Sequence, residues 1–261
     1  MKKYFLMSLM AIVGMTMTSC MSVNFNDNGV DKTPTQVSEI NKVTAMQPFN
    51  EVDISGSFKI VYDQGAEYTV RIEATEQELK EMTVYVKNGE LRIRKAVAKP
   101  TVSFKNVKIH VSSPELKKIE LAGSGLFAAS NGISSINSDL DVEVAGSGNV
   151  LLTSVDCFGS NLEIAGSGNI EIGHLQANEV TAEIAGSGNV NFGTLVCNDL
   201  KAEIAGSGNV NCDNIDAVNA HVEIAGSGDV NLTGRVSVLN KDIAGSGKVN
   251  LVEVPISEPA K

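Results

Sequence analysis

The sequence predicts an all-β chain: a single-stranded, right-handed parallel β-helix with coils of about 20 residues and an irregular N-terminal β region or cap. Three observations predict it. The tetrapeptide AGSG begins at Ala122, Ala145, Ala165, Ala185, Ala205, Ala225 and Ala244, at intervals of 23, 20, 20, 20, 20 and 19 residues. Counting each Ala as position 1, β-branched residues hold two fixed places almost throughout. Position 6 reads Phe127, Val150, Ile170, Val190, Val210, Val230 and Val249; position 20 reads Val144, Ile164, Ile184, Ile204, Ile224 and Ile243. Such residues favour strand over helix. Between these places apolar and polar residues alternate, as in Val190, Phe192, Leu195, Cys197, Leu200, Ala202 and Ile204.

The alternation breaks at Gly193-Thr194 and Asn198-Asp199, and the matching places elsewhere hold turn formers such as Asp213-Asn214. One unit is therefore a coil with three short sides. A single coil cannot bury its apolar side, so coils stack. Leucine-rich repeats need a dense Leu-x-x-Leu-x-Leu ladder and helical repeats a 3.6-residue period, and neither is present. The right hand follows from the chirality of parallel crossovers.

Alternation carried through the corner sends positions 2 and 4, always Gly, inward, and positions 19, 1, 3, 5 and 7 outward. Stacking at about 4.8 Å turns each outward position into a column. Position 19 gives Glu143, Glu163, Glu183, Glu203, Glu223 and Asp242. Position 3 gives a serine column including Ser167, Ser187 and Ser207, and position 5 an asparagine column including Asn169, Asn189 and Asn209. Stacked amides can bond along their column, which is a structural role. Neighbouring carboxylates repel by roughly 0.9 kcal/mol per pair even at the dielectric of water, which Lys201, His221, Lys241 and solvent partly offset. These columns are the candidate ligand face. Their oxygens suit a weakly held Ca2+ or a basic partner, and no other cofactor is expected. Cys157 and Cys197 fall two coils apart and Cys212 in another column, so three free buried thiols are expected.

Residues 48–121 lack AGSG but read as strands at Val52 to Ile54, Phe58 to Tyr62, Tyr68 to Ile72, Thr83 to Val86, Leu91 to Ile93, Val107 to Val111 and Ile119 to Leu121. Asn88-Gly89 signals a hairpin, and Thr75 to Met82 a short helical turn with Leu79 and Met82 inward. The regular repeat spans 122–254, and Pro255 and Pro259 in the tail, 255–261, blunt the last strand.

Lys2, Lys3 and the apolar run Tyr4 to Met15 predict a signal peptide over 1–19. The segment MTSC resembles a bacterial lipoprotein cleavage box, so Cys20 is the expected lipid attachment site and 20–47 a tether. Losing Lys2 and Lys3 takes the formal charge from −10 to −12. So acidic a surface, without a basic stripe, excludes nucleic acid as a partner.

Catalysis is not expected. Polysaccharide-active β-helices need carboxylates converging on one cleft, whereas these form a line of equivalents. His110, His174 and His221 share no metal-like spacing and are read as isolated polar residues.

The segments FNEVDISGSFKIVYDQG and IELAGSG and the repeated AGSGNV resemble the autotransporter-adhesin head GIN domain family of Bacteroidetes lipoproteins, over about Pro48 to Leu251. The resemblance implies a lipid-anchored β-helix of the outer membrane, on a side left open, and an adhesin-like role toward a host or cell-surface glycan or protein. A structural envelope spacer and, further off, a polysaccharide-active enzyme are the alternatives.

Overall fold

The computed structural model describes residues 38–44, 47–96, 101–104 and 107–253. The signal peptide, Cys20, Pro255 and Pro259 lie outside the described residues. The chain forms a β-solenoid of about 7 turns with coils of roughly 20 residues.

The regular part begins with β8 (Lys118–Gly123), β9 (Leu126–Ala129) and β10 (Ile133–Ser135). It continues through β11 (Leu140–Gly146), β12 (Asn149–Cys157), β13 (Gly159–Gly166), β14 (Asn169–Gln176) and β15 (Glu179–Gly186). Three strands then run almost a full coil each: β16 (Asn189–Gly206), β17 (Asn209–Gly226) and β18 (Asp229–Gly245), with β19 (Lys248–Glu253) last. Each stacks in parallel on its equivalent one coil away, with Ile164 facing Ile184, Ile184 facing Ile204 and Ile204 facing Ile224.

The breaks expected as corners are phase changes within a continuous ladder. In β16 the buried residues Val190 and Phe192 are followed by two outward residues, Gly193 and Thr194, then by buried Leu195 and Cys197. Asn198 and Asp199 repeat the pattern before Leu200, Ala202 and Ile204. Strand pairing persists through these bends because every coil bends at the same place. The three-sided interior is filled by the β-branched columns and by Phe127, Phe192 and the thiols of Cys157, Cys197 and Cys212. All three thiols are free, and burial pushes them up, to about 12 for Cys157 and Cys197 and about 11 for Cys212.

One feature of the glycine corner differs from expectation. Position 4 is buried: a Cβ on Gly208 would overlap the carbonyl oxygen of Gly188 and lie 2.6 Å from the Ile184 side chain. Position 2, expected inside, is half-exposed and carries the bend itself, with φ +140° at Gly206. Its carbonyl is the hinge of the stack: Gly186 O accepts from Ser207 N at 2.8 Å and Gly208 N at 3.1 Å.

The N-terminal region stacks out of chain order. β2 (Glu51–Gly56) and β3 (Lys59–Gln64) form one coil, which packs in parallel on β8 and β9. β6 (Glu90–Lys95) and β7 (Lys108–Ser113) form the coil on its other side. Antiparallel strands close that end. β5 (Met82–Lys87) pairs with β6 through the turn Asn88-Gly89, whose φ values of 55° and 83° are both positive. β4 (Thr69–Ala74) pairs with β7. Outermost is β1 (Ser38–Thr44), which pairs with β4 and lies within the span expected to be tether. A short run with Ile40 and Val43 shows too little period to be read as a strand, but the open edge of β4 gives its backbone partners.

The helical turn is α1 (Glu76–Lys80), started by a capping box between Thr75 and Glu78. Met82 is buried as expected; Leu79 is only partly buried, and Glu78 is the covered residue of the turn. Rings pack in this region, with Tyr62 stacked on Phe127 at 5.9 Å and its hydroxyl hydrogen-bonded at Ser113.

At the other end, among the described residues, no strand pairs with the outer edge of β18 beyond Gly234. Here Lys241 faces Val222, in the inward column that holds Ala182 and Ala202 in earlier coils. The expectation that Lys241 sits beside the carboxylates is therefore replaced: a 19-residue last interval puts Asn240 in that place, facing His221.

Candidate functional site

The carboxylates align as expected. Glu143, Glu163, Glu183, Glu203, Glu223 and Asp242 are successive ladder partners. The column also runs on through Glu120, which faces Glu143, to Asp53, which faces Glu120. The sequence held the signal for both: Asp53-Ile54-Ser55-Gly56 and Glu120-Leu121-Ala122-Gly123 place an acid before the corner as the later coils do.

Beside the column runs a groove of about 410 Å³ from Glu163 to Asp242, with the exposed alanines of position 1 along its floor. A second stretch, about 160 Å³, carries the groove back past Glu143 and Glu120 to Asp53. Small residues at position 1 leave the carboxylates as the raised wall of the groove.

Cations reach the column from two residues earlier on the same strands. Lys118 Nζ bridges Glu120 at 2.5 Å and Glu143 at 2.9 Å, and these partners raise its pKa. Lys201 pairs with Glu203 at 2.5 Å, and His221 Nε2 lies 2.8 Å from Glu223. His110 likewise lies 3.1 Å from Glu73, so two of the three histidines are paired rather than isolated. Glu163 and Glu183 make no ion pair among the described residues. Negative charge is thus least compensated in the middle of the groove.

The pKa of Glu163 is raised, first by desolvation and then by the neighbouring carboxylates of Glu143 and Glu183. An acid with a raised folded-state pKa is destabilising when ionised, and the penalty disappears as pH falls through that pKa toward its ordinary 4.5. Glu163→Gln is therefore expected to raise the urea midpoint at pH 7 and to leave it unchanged near pH 4. Equal midpoints at both values would contradict this.

Asp53, Glu90 and Glu120 bring carboxylate oxygens within 4.8 Å of one another. Each is engaged by a cationic side chain, Arg94 on Asp53, Arg92 on Glu90 and Lys118 on Glu120, so the cluster is an ion-pair network.

The other candidate residues divide. Ser167, Ser187 and Ser207 are exposed on the corner. The asparagines are half-buried and bond one another: Asn169 Nδ2 donates to Asn149 Oδ1 at 2.8 Å, Asn189 to Asn169 at 2.9 Å and Asn209 to Asn189 at 2.9 Å. A second amide spine runs through Asn191, Asn211, Asn231 and Asn250. These spines hold coils together and do not line the acidic groove.

Fold and surface together define a repeat-built β-solenoid whose sides are columns of equivalent side chains. The family model "Putative auto-transporter adhesin, head GIN domain" matches residues 48–214 and 193–258, and the chain belongs to this family. It is similar to a solved putative adhesin from Bacteroides fragilis NCTC 9343 at 22% identity and TM-score 0.73, covering 84% of this chain and 99% of that one. A solved protein titled a putative lipid binding protein, from Parabacteroides distasonis ATCC 8503, is similar at 25% identity and TM-score 0.69, covering 81% and 95%. A putative adhesin from the same strain matches at 20% identity and TM-score 0.70, covering 84% and 98%. No curated protein matches in sequence. The adhesin-like family points to a cell-surface or envelope protein.

Proposed function

We propose that this chain is a non-catalytic, adhesin-like envelope protein, anchored at the outer membrane by a lipid on Cys20, whose acidic groove docks a basic partner surface. The observation that carries this reading is the aligned carboxylate column with its uncompensated centre at Glu163 and Glu183. A partner bearing Lys or Arg at intervals near the coil spacing gains Coulomb energy at several levels at once. It also relieves the repulsion between neighbouring carboxylates. Catalysis is a poor fit because each coil offers the same carboxylate, with no pair differentiated into acid and base. A lipid ligand is not adopted, since the grooves are open and rimmed by carboxylates or amides.

The test is binding of the full chain to immobilised matrix proteins and to an oligolysine probe, at low and high salt. The triple variant E163K/E183K/E203K is expected to lose both interactions, and salt to weaken them in the native protein. Binding that survives the triple variant, or none by the native protein, would overturn the groove as the docking face and favour an envelope spacer.

A further inference from the structure

The Glu, Ser and Asn columns at the glycine corner repeat from coil to coil, whereas the outward residues of the side that carries the thiol column vary. On the short side, the outward position before the thiol column reads Asp156, Gln176 and Val196, and the position after it reads Phe158, Asn178 and Asn198. Phe127 and Phe192 are buried, whereas Phe158 is 59% exposed, with Ile136, 58% exposed, lining the same shallow cavity of about 340 Å³. Asp156, Gln176 and Asn178 line it too.

We propose that this cavity binds a neutral saccharide, with one pyranose ring lying on Phe158 and its hydroxyls met by Asp156, Gln176 and Asn178. A pyranose has an apolar C–H face and an edge of hydroxyls that both donate and accept, so it needs an exposed ring bordered by planar polar groups. One amide is held by its neighbour: Asn198 Nδ2 donates to Asn178 Oδ1 at 2.6 Å, which engages that oxygen and leaves the amino group of Asn178 as the donor offered to a ligand. The backbone beneath is fixed by Asn178 N donating to Phe158 O at 2.8 Å. Asp156 supplies acceptors for adjacent hydroxyls, and its charge, on a chain of formal charge −10, disfavours phosphorylated or sulfated ligands. Ligand size is bounded by the cavity, which suits one or two sugar rings and not an extended groove-filling polymer.

The inference rests on the reading of the protein as a binding module, but it uses a different side of the coil from the acidic groove. The full chain is applied to an array of neutral and acidic glycans, together with Phe158→Ala, Phe158→Tyr and E163K/E183K/E203K. The expected result is a neutral-glycan hit weakened at least about tenfold by Phe158→Ala, kept by Phe158→Tyr and unchanged in the triple variant, with the urea midpoint of Phe158→Ala unaltered. No neutral-glycan hit, or one indifferent to Phe158→Ala, overturns the saccharide site. A hit lost only in the triple variant does the same and assigns the glycan to the acidic groove. The oligolysine measurement is independent of all these outcomes and decides the groove separately.

Discussion

Gly206→Ala is expected to destabilise the protein by about 3 kcal/mol or more. At φ +140° an L side chain is strained, and the added Cβ would overlap the carbonyl oxygen of Gly186 and lie 3.0 Å from its carbonyl carbon. That oxygen holds Ser207 N and Gly208 N, so the methyl group disrupts the bonds that join the two coils at the corner. Relief by local shift is poor, because the atom in the way is backbone and the same corner repeats in the coils on both sides. Ala205→Ser, one residue earlier at an exposed position, is the control and should stay within about 0.5 kcal/mol of the native protein. Urea melts of both variants check the pair. A loss below about 1 kcal/mol at Gly206 would mean that the corner is looser than its geometry indicates.

Lys241→Val is expected to promote end-to-end assembly. Among the described residues no strand pairs with the outer edge of Arg235–Gly245, and Leu239 and Ile243 beside it are only partly buried. Such an edge templates pairing with another chain, and an inward-pointing charge is a known way to prevent it. Lys241 occupies the inward column directly after Ala202 and Val222, so any coil stacked on it would have to bury its ammonium. Valine there restores the apolar column and removes the obstacle. Light scattering during size exclusion should show a concentration-dependent rise in mass for the variant that exceeds any seen for the native chain. A variant whose mass matches that of the native chain at high concentration would show that something other than Lys241 protects the end.

The regular coils were legible because their information is local and repeated: one inward β-branched column, once in phase, sets every other position. The same phase places Glu163 on Glu183, and it needed only extension to reach Glu120 and Asp53. The N-terminal stacking order was not legible. β2, β6 and β8 are all strands by pattern, yet β2 lies between the other two because of long-range pairing that no local period records. Lys241 shows a finer limit. A single deleted residue moves it from beside the carboxylates to the inward column, and the ladder shows where the slip is absorbed, between Cys212 and Ile215. The exposure of Phe158 was also hidden, because an aromatic residue next to a phase change can face either way until the neighbouring coils are in place.

Spin–spin coupling between nitroxides on adjacent coils tests the alignment on which both binding faces depend. In a background with Cys20 replaced by serine and the three buried thiols left unlabelled, Glu163→Cys with Glu183→Cys should place the labels on neighbouring strands about 4.8 Å apart and give a strongly exchange-broadened spectrum. The pair at positions 163 and 203, two coils apart, should couple distinctly more weakly. Sharp, uncoupled lines from the adjacent pair would contradict the stacked register, and the carboxylate column would go with it.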